Sequence, residues 1–168
     1  MIRSKNMNLS DRKLRRSAEH VCYEISMLHF TTQYMSEIPS HALSVNRYLP
    51  NALLESWCVH LRNLLDFFYT QAAERYNDDM VAEDYVSDLR QFKRQRAKVK
   101  LPALKKRIAK QIAHLTYHRN VYNKKTKPWH YRDIYGKLKP TISAFYDALP
   151  DHRKKWPHFV QLKRMIDA

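Results

Sequence analysis

Arg107 and His114 stand in the stretch RIAKQIAHLTYHR, residues 107–119, with six residues between them. These are the side chains suited to handling a phosphate. A guanidinium is a permanent cation for phosphoryl oxygens, and an imidazole moves protons near neutral pH. On a helical wheel, Leu104, Ile108, Ile112 and Leu115 make a narrow apolar stripe that must face a core. Arg107, Gln111, His114 and His118 lie beside it within about 60° of arc, at spacings i, i+4, i+7 and i+11. Lys106 and Lys110 flank the far side. His114 then sits where core meets basic surface, the line along which a phosphate groove would run. The plainer reading of His114 is a packed margin residue bonded to a neighbour.

A second polar face lies inside the most apolar stretch of the chain, ALLESWCVHLRNLLDFFYTQAAERY. Glu55, Arg62 and Asp66 share one side of that helix, and Tyr69 continues it. Charges beside a core stripe are costly unless paired. Two readings stand open: an exposed Arg62–Asp66 pair at i, i+4, or a partly buried network that orients groups on the next helix. His60 faces away from Arg62 and reads as structural. His130 and His158 suggest no constellation.

The elements that must position these groups are helices. Through Asn8 the chain looks loose. Ser10 and Asp11 start a helix whose apolar residues Val21, Ile25, Leu28 and Met35 keep helical spacing to about Ile38. Pro39 and Pro50 act as breakers in a connector. The core helix is expected over Ala52–Tyr76, with Leu54, Trp57, Leu61, Leu65 and Phe68 inward. An acidic patch with a short helix comes next at Asp78, Asp79, Glu83, Asp84 and Asp88. The sign then flips: Gln91 to Lys110 holds nine lysines and arginines and no acid. Pro102 opens a helix to about Asn120, and NKKTKP is a basic loop. A helix over Trp129–Leu149 has Gly136 as a weak spot and Pro140 as a place to split. PDHRKKWP reads as a loop, and Pro157–Asp167 as a last helix. The expectation is all-α: one up-and-down helical bundle of four to six helices, a single domain over 1–168 with residues 1–8 flexible.

Composition agrees. One glycine among 168 residues and no Asn-Gly argue against hairpins. A net charge of +15 implies an anionic partner: nucleic acid, an acidic protein or a membrane surface. Cys22 and Cys58 are too few for a disulfide framework or zinc cluster and read as small buried hydrophobes in a reducing compartment. No stretch approaches the ~18 apolar residues that span a bilayer, and the N-terminus lacks a secretory apolar core. A cytoplasmic protein with no membrane partner is expected. There is no H-E-x-x-H, Walker-type loop, G-x-S-x-G or E-x-x-H, so neither a metal site nor a cofactor is expected.

Arg107, six residues and His114 match the R-x4–6-H motif, and the chain resembles HEPN domains, small helical bundles of nucleotide-handling and defence proteins. LLESWCVHLRNLLDFFY followed by KQIAHLTYHR is similar to the paired signature of abortive-infection-type HEPN proteins. The resemblance covers roughly residues 50–148. It departs at Ile108, where HEPN nucleases usually carry Asn, Asp or His. What it implies is a metal-independent endoribonuclease of toxin or defence type, using the RNA's own 2′-hydroxyl as nucleophile. His114 and Arg107 would be catalytic, and a homodimer would bring two motifs together. His118 and Tyr117 would be auxiliary, and Glu55, Arg62, Asn63 and Asp66 would orient the pair. An antitoxin or another protein partner would fit such a chain.

Two other functions compete. A non-catalytic nucleic-acid-binding protein would use Lys93, Arg94, Arg96, Lys98, Lys100, Lys105, Lys106 and Lys110, with NKKTK and DHRKK, as phosphate contacts. Tyr117, Tyr122 and Trp129 would offer stacking surfaces. An interaction module would instead pair its acidic 78–88 patch with the basic stretch between subunits.

Overall fold

A computed structural model describes residues 9–38, 48–76, 78–96, 102–113, 117 and 129–167. Among them there is no strand, and the protein is all-α. Helix α1, Asp11–Glu37, begins where Ser10, in an extended conformation, accepts the Lys13 amide on its side chain at 3.4 Å. Leu14, Ala18, Val21, Cys22, Ile25 and Leu28 give it a continuous buried stripe. It ends at extended Ile38, the residue before Pro39, where proline disfavours helical geometry.

Helix α2, Leu49–Tyr69, starts earlier than expected. Pro50 does not break it but occupies its first turn, where a missing amide hydrogen costs nothing. It also ends earlier, at Tyr69 rather than Tyr76. Acidic side chains further on take up the freed backbone: Glu83 accepts the Ala72 amide at 3.2 Å and Asp79 the Tyr76 amide at 3.1 Å. A 3₁₀ turn at Ala82–Asp84 leads to α3, Leu89–Arg96, opened by Asp88 accepting the Gln91 amide at 2.8 Å. Helix α4, Pro102–Ile108, passes into a π-helical segment at Ala109–Ala113. Helix α5, Tyr131–Asp147, runs unbroken through Pro140. Helix α6, Asp151–Lys154, is one turn where a loop was expected, and α7, Pro157–Asp167, comes after it.

Contacts fix the directions. Trp57 donates its indole N–H to Thr32 at 2.8 Å, and His60 meets Glu24 at 2.7 Å, so α2 runs antiparallel to α1. The Tyr131 hydroxyl donates to the Met35 carbonyl at 2.9 Å and His29 bonds Tyr135 at 2.8 Å, so α5 is antiparallel to α1 as well. Helix α7 closes the N-terminal half of α1, where Cys22 reaches the His158 carbonyl at 3.3 Å. At the centre Phe145 of α5 meets Phe67, Phe68, Tyr85, Phe92 and Phe159 edge to face, at ring separations from 5.3 to 6.3 Å. Cys22 and Cys58 are buried and free, and burial pushes both thiols up to about 12. Among the described residues, no helix is long and apolar enough to cross a membrane.

Gly136 sits on the exposed side of α5, and a methyl group there would meet nothing within 4 Å. Its φ is not positive, so glycine is not required. Gly136→Ala should therefore raise the unfolding free energy by about 0.5–1 kcal/mol, read by urea denaturation. An unchanged or lower value would mean that the turn before Pro140 uses glycine's freedom.

Candidate phosphate-binding site

Arg107 lies at the end of α4, and its guanidinium stands 4.0 Å from the centre of the Trp129 ring. The residue is partly buried. Trp129 in turn meets Trp57 edge to face at 6.0 Å, and Trp57 is anchored to Thr32. A chain of contacts from α1 through α2 thus ends beneath the guanidinium, which gives the cation a defined direction. Such stacking contributes roughly 0.5–2 kcal/mol. The positive charge also reaches the core: burial raises the Cys58 thiol, and Arg107 works against that rise while Glu55 adds to it. Arg107 and Glu55 therefore act on the Cys58 thiol in opposite directions.

The polar face of α2 partly settles between its two readings. Arg62 and Asp66 approach at 4.0 Å with both side chains 45% exposed, the weak intrahelical pair. Asp66 also makes an ion pair with Lys105 of α4, so the face does tie to the next helix through Lys105. Asn63 and Glu55 are exposed. Arg62, Asn63, Asp66 and Lys105 line one side of a cavity of about 570 Å³ that continues to His20, Glu24 and Tyr76.

His114, His118, Lys98, Lys100 and Tyr122 lie outside the described residues. The α-helical step assumed for this stretch does not hold over Ala109–Ala113, which is π-helical. Tyr117 is described and is 94% exposed.

The basic tract is less open than its composition suggests. Lys93 and Arg96 approach one Glu83 carboxylate oxygen at 3.0 and 3.6 Å. Arg96 also donates to the Phe68 carbonyl at 3.0 Å, which holds the end of α2. Lys105 is engaged by Asp66. Arg94, Lys106 and Lys110 are exposed. The acidic patch and the basic stretch therefore meet within one chain, whereas the interaction-module alternative paired them between subunits. Partly buried Asp84 is likewise paired to buried Arg75. In DHRKK, Arg153 points inward, with bonds to Asp11 at 2.7 and 3.0 Å and to the Asp84 and Tyr85 carbonyls at 2.9 Å.

Trp129 was expected as an exposed stacking surface, and it instead lies between Trp57 and Arg107. A tryptophan just after a proline-bearing basic loop was the available signal. Nothing in the spacing ties it to a residue 22 positions earlier. Among the described residues no group of three or more His, Cys, Asp or Glu could hold a metal ion. No protein-family model matches the chain, and neither does any curated protein or solved structure.

Proposed function

We propose that the chain acts on RNA as a HEPN-like, metal-independent endoribonuclease of toxin or defence type. The observation that carries this reading is the pose of Arg107: partly buried, stacked 4.0 Å above Trp129, and so held in one orientation. A surface arginine serving only solubility needs no such support. Its role is the fixed cation that stabilises charge on the phosphoryl oxygens as it develops. His114 is the proton carrier: it takes the proton of the RNA 2′-hydroxyl as that oxygen bonds to phosphorus, and a proton passes to the departing 5′-oxygen. The helix pattern adds one up-and-down bundle and the missing signal and span a cytoplasmic place; the resemblance adds a homodimer joining two Arg107–His114 pairs and an antitoxin-like partner.

A labelled single-stranded RNA incubated with the chain in EDTA tests this. The native chain should cut it, and Arg107→Ala and His114→Ala should each slow cutting at least a hundredfold. Cutting that needs a divalent metal, or that survives both substitutions, overturns it. Exposed Arg94, Lys106 and Lys110 favour a second reading, a non-catalytic RNA-binding protein. Its signature is salt-sensitive binding with no cleavage.

A further inference from the structure

At the opposite end of α1 from the contacts beneath Arg107 lies a cationic groove. Arg12, Arg15, Arg16, Trp156 and His158 line it, with Asp11 and Pro157, around a cavity of about 540 Å³. Arg16 is sixteen residues from Thr32, the α1 residue that anchors the Trp57–Trp129–Arg107 contacts, or about 24 Å along the helix. The two places are separate.

Three observations make this more than a solvated charge run. The groove's carboxylate is taken: Asp11 binds Arg153 at 2.7 Å and His152 at 3.0 Å, and the Arg153 bond above all holds its carboxyl below the usual range. Among the described residues, none of Arg12, Arg15 and Arg16 forms an ion pair, Glu19 one turn further on included. All three are exposed. The wall behind them is rigid, with Trp156 buried and stacked on Phe159 at 5.9 Å and the His158 carbonyl bonded to Cys22. Three guanidinium groups therefore line a fixed wall with no ion-pair partner among the described residues, unlike Lys93, Arg96 and Lys105.

The chemistry of the occupant is set by these cations. Guanidinium forks match phosphate oxygens two at a time. Arg12 and Arg16 are one turn apart, so their Cα atoms are spaced about 6 Å along the axis, which suits successive phosphates of a strand better than a single ion. A membrane surface would need large apolar groups beside the cations. Trp156 is only 7% exposed, and the exposed aromatics of α1 start at Tyr23, beyond the groove. We infer that Arg12, Arg15, Arg16 and His158 form a docking groove for the phosphate backbone of RNA, distinct from the Arg107 site. The choice of RNA among polyanions rests on the function proposed above; the groove itself does not.

Binding is measured by fluorescence anisotropy of a labelled, unstructured RNA of about twenty nucleotides over a range of salt. An Arg107→Ala background separates this result from cleavage. In it, Arg12→Gln/Arg15→Gln/Arg16→Gln should weaken binding at least tenfold at about 50 mM salt. It should also flatten the slope of log K against log salt by about 2, the share of three phosphate contacts on a single strand. Unchanged thermal melting shows that the triple variant is folded. Binding within twofold of the parent with an unchanged slope overturns the groove, as does a parent chain that binds no RNA. The groove is also overturned if the triple variant loses affinity for phosphatidylserine vesicles while its RNA affinity stays. A chain that binds RNA through these arginines yet cuts none, with Arg107 present, sinks the nuclease and leaves the groove standing.

Discussion

Replacing Arg75 with alanine should lower the unfolding free energy by about 3–5 kcal/mol at neutral pH, and much of that loss should return in mild acid. Arg75 is 7% exposed and ion-paired to Asp84, whose side chain is 9% exposed. Removing one partner of a buried pair leaves the other as an uncompensated charge, which costs more than the pair contributes. The direction with pH comes from Asp84. Burial holds its carboxyl above the ordinary value, although Arg75 pulls it down, so losing Arg75 raises it further. A carboxyl raised in the folded state binds its proton at higher pH than in the unfolded chain. Stability must therefore rise as pH falls through the folded value. Asp11 has the opposite slope, since its carboxyl is lowered and its contribution disappears in acid. That slope is common to parent and variant and cancels in their difference.

The measurement is urea denaturation of the parent, Arg75→Ala and Asp84→Asn at pH 7 and at about pH 4.5, just above the ordinary carboxylate value. Arg75→Ala should recover toward the parent at the lower pH. Asp84→Asn leaves a buried guanidinium that does not titrate, and it should not recover. A loss under about 1 kcal/mol, or an Arg75→Ala deficit equal at both pH values, would show that water already reaches the pair.

Phe145→Ala is the second large effect, about 3–5 kcal/mol, lowering the melting temperature by roughly 10 °C for a chain of this size. Phe145 is 0% exposed, and its ring touches five others drawn from α2, α3, α7 and the Tyr85 segment. No single neighbour can move in without leaving another ring, so the cavity stays open. Thermal and urea unfolding should agree on the loss. A deficit near 1 kcal/mol would mean that the aromatic cluster repacks around the gap.

Helices whose cause is local were legible in the amino-acid order alone. Ser10, Asp11 and the Val21–Ile25–Leu28 spacing marked α1 closely, because a cap and an apolar period act within one element. Pro50 was misjudged as a breaker for a positional reason. A proline's effect depends on its place in the hydrogen-bond ladder, and the first turn has no bond to lose. The end of α2 was misplaced because acidic side chains ten or so residues on take its backbone donors. In the candidate site, Arg107 was chosen for its neighbours on one wheel, yet its support comes from Trp129, which no period connects to it. The basic tract looked uniform because charge counts are blind to pairing; Glu83 and Asp66 engage Lys93, Arg96 and Lys105 within the chain. The groove at Arg12 was missed because half of it belongs to residues 156–158.

The first helix finds its partners late in the chain. Asp11 is bonded 142 residues away, Cys22 136 away and His29 106 away. Helical proteins built from neighbouring hairpins assemble quickly because each contact closes a short loop. Here α1 can pair with α2 early, but its other flank stays bare until α5 and α7 have been synthesised. An apolar stripe waiting that long is a natural foothold for a chaperone, or for the same stripe on another unfinished chain.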